Sequence, residues 1–377
     1  MALAQLGVNV QTATTDDDGP GRRTERTADA PVDVGAARRV FRKQSDFYKI
    51  SLPFLRWITR EVHQFDVVHI HALFSFTSVA AAWAARRSGV PYVIRPLGVL
   101  NAYGVAQRRP LLKRLSLRLI EGPLLRDAAA VHFTSDSERD EALTLGVPLR
   151  AMVIPLAVTV APVGIAQQFL QGKPMVAAAP RLLYLSRLDP KKNLEGLIRA
   201  VALLQAEGLR PALLVAGSGD PAYLLSLKLL VQAQGVADQV HWLGQVSGQD
   251  KADLLAASNL FVLPSFSENF GIAVAEALAS GLPCVVARGV ALAADVAAAG
   301  AGISCDPDPA SLADALSTLL KDEVMRYAMA ARAVNLAQER YSVMGMGKRL
   351  LALYSDLTLG KDIPICSAVA RHMPAAS

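Results

Sequence analysis

Two parallel α/β units are what the sequence predicts, and three observations carry that prediction. At 377 residues the chain is longer than the roughly 100–150 residues at which single cores cluster. Short apolar runs recur along it, each followed by a turn and a helix-like segment, the alternation that builds parallel strands joined by crossover helices. Between two sets of such runs lies "LAVTVAPVGIAQQFLQGKPMVAAAP" (156–180), with three prolines and weak periodicity, which reads as an interdomain linker.

The elements follow in order. In the first half the strand candidates are "GVNVQTAT" (7–14), "DVVHIH" (66–71), "PYVIR" (91–95), "AAVHFTS" (129–135) and "AMVIP" (151–155). The charged stretch 16–46, from "DDDG" through "ARRVFRKQSD", reads as a long mobile loop. In the second half they are "RLLYLS" (181–186), "PALLVAGSG" (211–219), "QVHWLG" (239–244), "NLFVLPS" (259–265) and "PCVVA" (283–287). Two stacked Rossmann-like units result, with expected boundaries at 1–160 and 161–340. A helix over 341–358 is expected to pack back on the first unit, and 359–377 to form a flexible tail.

Composition narrows the function classes. The 52% hydrophobic content is enough for two cores. A net charge of +6 and a pI near 9.3 favour an anionic partner: nucleic acid, a phosphorylated small molecule or an acidic membrane face. Cys284, Cys305 and Cys366 are odd in number and far apart, which gives neither a disulfide framework nor a zinc pattern and makes a reducing cytoplasm the default. Outside the alanine-rich 270–287, no apolar run of about 18 residues is free of a charge or a Pro/Gly break, so no membrane span is expected. "MALAQLGVNVQTATT" lacks the basic start and apolar core of a signal peptide. The acids of "DDD" (16–18), in a polar loop, read as solvated rather than metal-binding.

"SENFGIAVAEALASGLPCVV" (267–286) carries two charges in twenty residues, Glu268 and Glu276. It reads as a loop after the strand "NLFVLPS", then a helix stopped by Gly281 and Pro283. At such a corner the first helical N–H groups lack intrahelical acceptors and can hold a phosphate, and Gly271 has no side chain to block the approach. Glu276 has Ile272, Ala273, Ala279 and Ser280 as its helical neighbours, none of them a cation. A carboxylate there needs hydrogen-bond donors, such as a ligand hydroxyl pair, unless it is simply exposed among small alanines. "RLLYLSRLDPKKNLEGLIRAVALL" (181–204) makes a second strand–loop–helix corner with Asn193 as N-cap. Arg187, Lys191 and Lys192 crowd a helix N-terminus, where cations are disfavoured unless an anion lies between; a diphosphate would serve, and solvated surface lysines are the plainer alternative. "VAGSGD" (215–220) puts Gly217 in a third Gly-rich turn, more often a tight turn than a nucleotide contact.

These two corners, in this order and about 80 residues apart, resemble glycosyltransferase family 4: the two-glutamate donor signature at 268 and 276, and the Arg-x-x-x-x-Lys phosphate segment at 187–192. The resemblance runs over roughly 60–355, is closest to exopolysaccharide-type members, and includes "DVVHIHALF", "GVPYVIRPLG" and "AAAVHFTSDSE" more loosely. It implies a GT-B architecture of two facing Rossmann-like domains. A nucleoside-diphosphate sugar would be held by the second and a saccharide or lipid-linked acceptor by the first, with no metal, no other cofactor and no nucleic acid. Carried over, Arg187 and Lys192 would neutralise the leaving diphosphate, Glu276 would bind the ribose hydroxyls and Glu268 the donor sugar. The backbone N–H groups of Asn269, Phe270, Gly271 and Ile272 would hold phosphate and sugar oxygens. The implied activity is retaining hexosyl transfer in cell-surface polysaccharide or glycolipid biosynthesis. The alternative is a non-catalytic or degraded homologue serving as a partner subunit. A nicotinamide dehydrogenase is disfavoured, since no G-x-G-x-x-G opens a helix with an acid about 20 positions on.

The first half departs from the family pattern. Leu97, in "YVIRPLG", stands where many members place a histidine near the transferred sugar. His69 and His71 share a strand face, with His71 the expected substrate contact and His69 a hydrogen-bonded core residue; Arg95, Ser135 and Glu138 are further candidates. "YGVAQRRPLLKRLSLRLIEGPLLR" (103–126) sets Arg108, Arg109, Lys113, Arg114 and Arg118 among leucines at helical spacing. That suits either an anionic membrane surface, placing the protein peripherally on the inner face of the membrane, or an ordinary domain helix. The opening residues resemble the end of a first helix and a second strand, so a first strand is expected to be missing from the first unit.

Overall fold

Apolar strands alternating with helices sort the chain into two units, residues 1–155 with 346–377 and residues 156–345. The structure is a computed structural model and describes residues 2–19, 22–23, 37–100, 115–159, 169, 176 and 178–366. Most of the expected linker, and residues 103–114 of the basic segment, lie outside the described residues.

In the second unit, β7 (Arg181–Leu185), β8 (Ala212–Ala216), β9 (Val240–Gly244), β10 (Leu260–Leu263), β11 (Cys284–Ala287) and β12 (Gly302–Cys305) form one sheet in the order β12-β11-β10-β7-β8-β9, with every ladder parallel. Helices cover both faces, which is why these strands read as continuous apolar runs rather than alternating ones. Leu183, Leu214, Phe261 and Val286 enter one core, and Leu182, Leu213, Val262 and Val285 enter the other. All strands run the same way, but the order in which successive strands are added reverses between β7 and β10. In a doubly wound sheet this switch point opens a crevice beyond the strand ends, and ligands bind there. β12 was not among the expected strands. Gly302 hides it, yet that glycine lets it pair: a Cβ there would lie 1.9 Å from the Cys284 carbonyl oxygen.

The first unit holds two separate parallel sheets among its described residues. β1 (Gln11–Thr15) pairs with β2 (Ala37–Phe41), while β3 (Val68–His71), β4 (Tyr92–Arg95), β5 (Ala130–Phe133) and β6 (Ala151–Val153) form a sheet in that order. β2 lies inside the stretch expected to be loop, its strand character masked by Arg38 and Arg39. The acidic run is not merely solvated either. Asp16 accepts from the Lys43 backbone N–H at 2.8 Å, and Asp17 pairs with Lys43 at 2.6 Å and Lys49 at 2.8 Å, so buried Lys43 draws the end of β1 to the chain leaving β2.

The helix Val343–Thr358 crosses from one unit to the other and buries Leu350, Leu353 and Leu357 against Val93, Ala130 and Ile154 of the first. Beyond it, Cys366 and Leu149 exchange backbone hydrogen bonds of 2.7 and 3.2 Å. The first part of the expected flexible tail is therefore tied down. The helical segment Leu117–Asp127 buries Leu124 and Leu125 and leaves Leu119 and Ile120 exposed, with Leu115 exposed just before it. Within it, fully buried Glu121 accepts from Tyr48 Oη at 2.8 Å and Phe74 N at 3.1 Å; burial pushes its carboxyl above the ordinary glutamate value.

Candidate active site

The loops leaving β7 and β10 flank the switch point, and local hydrogen bonds fix both. After β7, the Asp189 carboxylate accepts from Lys191 N at 2.9 Å and starts a single tight turn, Pro190–Lys192. Asn193 then adopts a left-handed backbone (φ 55°) and caps the helix Leu194–Ala206, its side-chain oxygen accepting from Gly196 N at 3.2 Å. Its amide nitrogen donates to Pro264 O at 3.1 Å and Pro307 O at 2.7 Å. One residue therefore both opens a helix and ties the β7 loop to the β10 loop.

Beyond β10, Glu268 is pinned by its own backbone, donating to Gly289 O at 2.9 Å and accepting from Ala291 N at 3.1 Å. Gly271, at φ 94°, begins the helix Ile272–Ala279 without a side-chain cap. The N–H groups of Ile272 and Ala273 have no acceptor among the described residues, the normal state of a first helical turn and the one that suits an anion. Buried Lys192 pairs with Glu268. Arg187, in contrast, has no acidic partner among the described residues.

These side chains line a cavity of about 530 Å³. It brings together Arg187, Lys192, Gly217, Glu268, Gly271, Ile272 and Glu276, all singled out from the sequence. Asn269 and Phe270 do not line it. The Phe270 ring is buried edge-on to Tyr341 at 5.7 Å, so only its main chain can face a ligand. Gly217 (φ 149°) lets β8 approach the β7 loop, since a Cβ there would lie 1.8 Å from Ser186 O.

Sequence reasoning missed Lys251. It stands on the helix Gly248–Ala257 and pairs with Glu276 at 2.7 Å, so Glu276 is not without a cation as its helical neighbours suggested. No sequence signal marks a pairing between two helices whose relative placement only the sheet sets. With Lys251, the cavity holds three cations against two carboxylates, and the free N–H groups add to the positive side.

The first-unit candidates form a separate group. His69 Nδ1 lies 2.6 Å from Tyr354 Oη, and its Nε2 is 3.4 Å from His132 Nδ1; His132 Nε2 lies 2.8 Å from Ile154 O. His69 is thus held in the core, while His71 is exposed at the end of β3 with its ring stacked on His69 at 4.6 Å. Desolvation of the ring, with Arg95 adding repulsion, lowers His71 to about 4; burial does the same to His132. Burial also drives His69 well below the ordinary histidine value. All three are neutral near pH 7. Among the described residues no group of three or more His, Cys, Asp or Glu could hold a metal ion. Ser135 caps the helix Asp136–Leu143 and accepts from Glu138 N at 3.1 Å.

Comparison with known proteins gives the family. The family model described as "Glycosyl transferases group 1" matches residues 171–336, and "Glycosyl transferase 4-like domain" matches residues 1–157. A D-inositol 3-phosphate glycosyltransferase of Corynebacterium efficiens is 33% identical over 180 residues, covering 46% of this chain and 42% of that protein. The chain thus spans less than half the length of this relative. The protein of the same name from Thermobispora bispora is 28% identical over 394 residues, covering 94% of this chain and 87% of that protein. Among solved structures, Anabaena Alr3699/HepE in complex with UDP aligns with a TM-score of 0.70 at 21% identity, over 85% of this chain and 86% of that one, a likeness of fold. Two family models that between them take in both units, each on the unit where the matching motifs lie, show that the chain belongs to the glycosyltransferases of family 4 type, with the GT-B fold.

Proposed function

We propose that the chain transfers a hexose-type sugar, with retention, from a nucleoside-diphosphate sugar to a saccharide or lipid-linked acceptor. The observation that carries this reading is the meeting, at one switch-point cavity, of buried Lys192 with Arg187 and the N–H groups of Ile272 and Ala273, which have no acidic partner and no acceptor among the described residues. A diphosphate supplies the negative charge that this arrangement lacks. Glu276 then lies along the cavity wall at a position suited to ribose hydroxyls, and Glu268 at one suited to the sugar. As the bond from the anomeric carbon to the diphosphate oxygen breaks, charge builds on that oxygen and positive character on the sugar. Fixed cations and N–H dipoles stabilise the first without reorganising, so no side-chain nucleophile is required. The UDP complex of the Anabaena structure makes UDP the probe of choice. UDP at ~100 times its Kd is expected to stabilise the fold by ~2.7 kcal/mol, read as a raised unfolding midpoint, and Glu276→Ala to reduce that shift by weakening ribose binding. No shift with any nucleoside diphosphate would sink the donor-site reading.

Membrane association belongs to the same reading. Leu115, Leu119 and Ile120 are exposed rather than packed in the core, and Arg118 stands among them. A basic apolar surface of this kind suits an anionic lipid face and would bring a lipid-linked acceptor within reach. No helix among the described residues is long and apolar enough to cross a membrane. Sedimentation with anionic vesicles is expected to recover the protein in a salt-sensitive manner that neutral vesicles do not reproduce; equal recovery with both would remove the membrane from the proposal.

A further inference from the structure

We propose that the first unit carries an anion site of its own, built from Arg95 and His71, which takes a phosphate group on the acceptor. Only the word acceptor rests on the transferase reading above; the site itself stands on the first unit. Arg95 ends β4, and in the parallel register its Cα lies opposite that of His71 at the end of β3. Among the described residues, buried Arg95 Nε donates to nothing, and no carboxylate forms an ion pair with its guanidinium. The acidic group that bears on it, Glu138, is buried and already engaged: Oε1 accepts from Gly98 N at 2.7 Å, and Oε2 from Thr134 N and Oγ1 at 2.7 Å each. Glu138 therefore serves two loop backbones. The other groups that feel the Arg95 charge are His69, His71 and His132, which add no negative charge.

A half-buried guanidinium without an acceptor is costly, and an oxyanion is the group whose geometry its donor fork matches. Beyond the ends of β3 and β4, Ala72 (φ 83°), Phe74 (φ 56°) and Leu97 (φ 59°) hold left-handed backbones that non-glycine residues rarely adopt. Ala72 N donates to Arg95 O at 2.9 Å and locks the two strand ends together. His71 is accessible, its ring held against His69, which Tyr354 in turn fixes. A neutral imidazole so placed can offer one N–H beside the guanidinium. The Leu97 side chain carries no polar atom, and the charged and imidazole side chains at these two strand ends are Arg95 and His71.

Histidine-selective NMR of the full chain tests the site. Inorganic phosphate is titrated with UDP present, so that the donor cavity, which also suits phosphate, is occupied. One imidazole resonance, assigned to His71 by its loss in His71→Gln, is expected to move and saturate. Arg95→Gln should weaken that titration about tenfold or more, the loss of hydrogen bonds to a charged group. Arg95→Lys should weaken it less, and replaces the first variant if Arg95→Gln does not fold. A motionless His71, an unchanged titration in Arg95→Gln, or loss of the response in Arg187→Ala would overturn the site. An equal response to acetate would overturn the phosphate assignment. The UDP-induced midpoint shift, measured on the same samples, reports the donor cavity separately: its absence alongside a normal His71 titration would leave the anion site standing and remove the donor reading.

Discussion

Arg187→Ala and Lys192→Ala are each expected to lower kcat by about 10²–10³-fold, roughly 2.7–4 kcal/mol of barrier, with a much smaller change in donor KM. Both cations face the cavity where leaving-group charge would grow, so their contribution is larger in the transition state than with bound donor. The two should differ in stability. Arg187 has no acidic partner among the described residues, and its loss should leave the unfolding midpoint nearly unchanged. Lys192 is 8% exposed and pairs with Glu268, whose side chain is 23% exposed, so its removal strands a partly buried carboxylate and should lower the midpoint measurably. Turnover and thermal melts on the same preparations separate the effects. Unchanged kcat in Arg187→Ala, with the fold intact, would remove Arg187 from the leaving-group role, whereas no turnover by the unsubstituted protein with any nucleoside-diphosphate sugar would favour a non-catalytic partner subunit over the transferase.

Much of this cavity was legible because its signals are local. Strand, loop, Gly271 and helix follow one another within about a dozen residues, and Asn193 announces its helix by type and position. Arg187, Lys192, Glu268 and Glu276 stand at those two corners, where the family resemblance singled them out beside Lys191, and the sheet then brings the corners together. What stayed hidden depends on placement across the fold. Lys251 and Glu276 are 25 positions apart on separate helices, and only the packing of those helices makes them a pair. Lys192 and Glu268, 76 positions apart, were both found, but not as partners. β2 was hidden by paired arginines that suit a strand with exposed positions, and β12 by the glycine that its close pairing requires. In the first unit, Arg95 and His71 read as two unrelated residues until the parallel register set them side by side.

Gly217→Ala is expected to be among the most damaging single substitutions in the second unit, although in sequence its Gly-rich turn is only a weak sign of a nucleotide contact. Two costs coincide there. At φ 149° an alanine is strained by about 1–3 kcal/mol, and a Cβ only 1.8 Å from Ser186 O and 2.9 Å from Ser186 C must push backbone aside, adding about 1–3 kcal/mol. The atom in the way belongs to the residue just before Arg187, and Gly217 N is itself held to Gly244 O at 2.7 Å, so neither side can yield freely. Any relaxation must therefore move the β7 loop that carries Arg187. Gly235→Ala is the matched control: it too is left-handed, at φ 67°, but a Cβ there meets nothing within 4 Å. Gly217→Ala should lose about 2–6 kcal/mol by denaturant unfolding and bind UDP weakly in whatever fraction remains folded, while Gly235→Ala should pay only the conformational part and bind UDP normally. Equal stability losses in the two variants would show that close approach to the Ser186 carbonyl is not what requires glycine at 217.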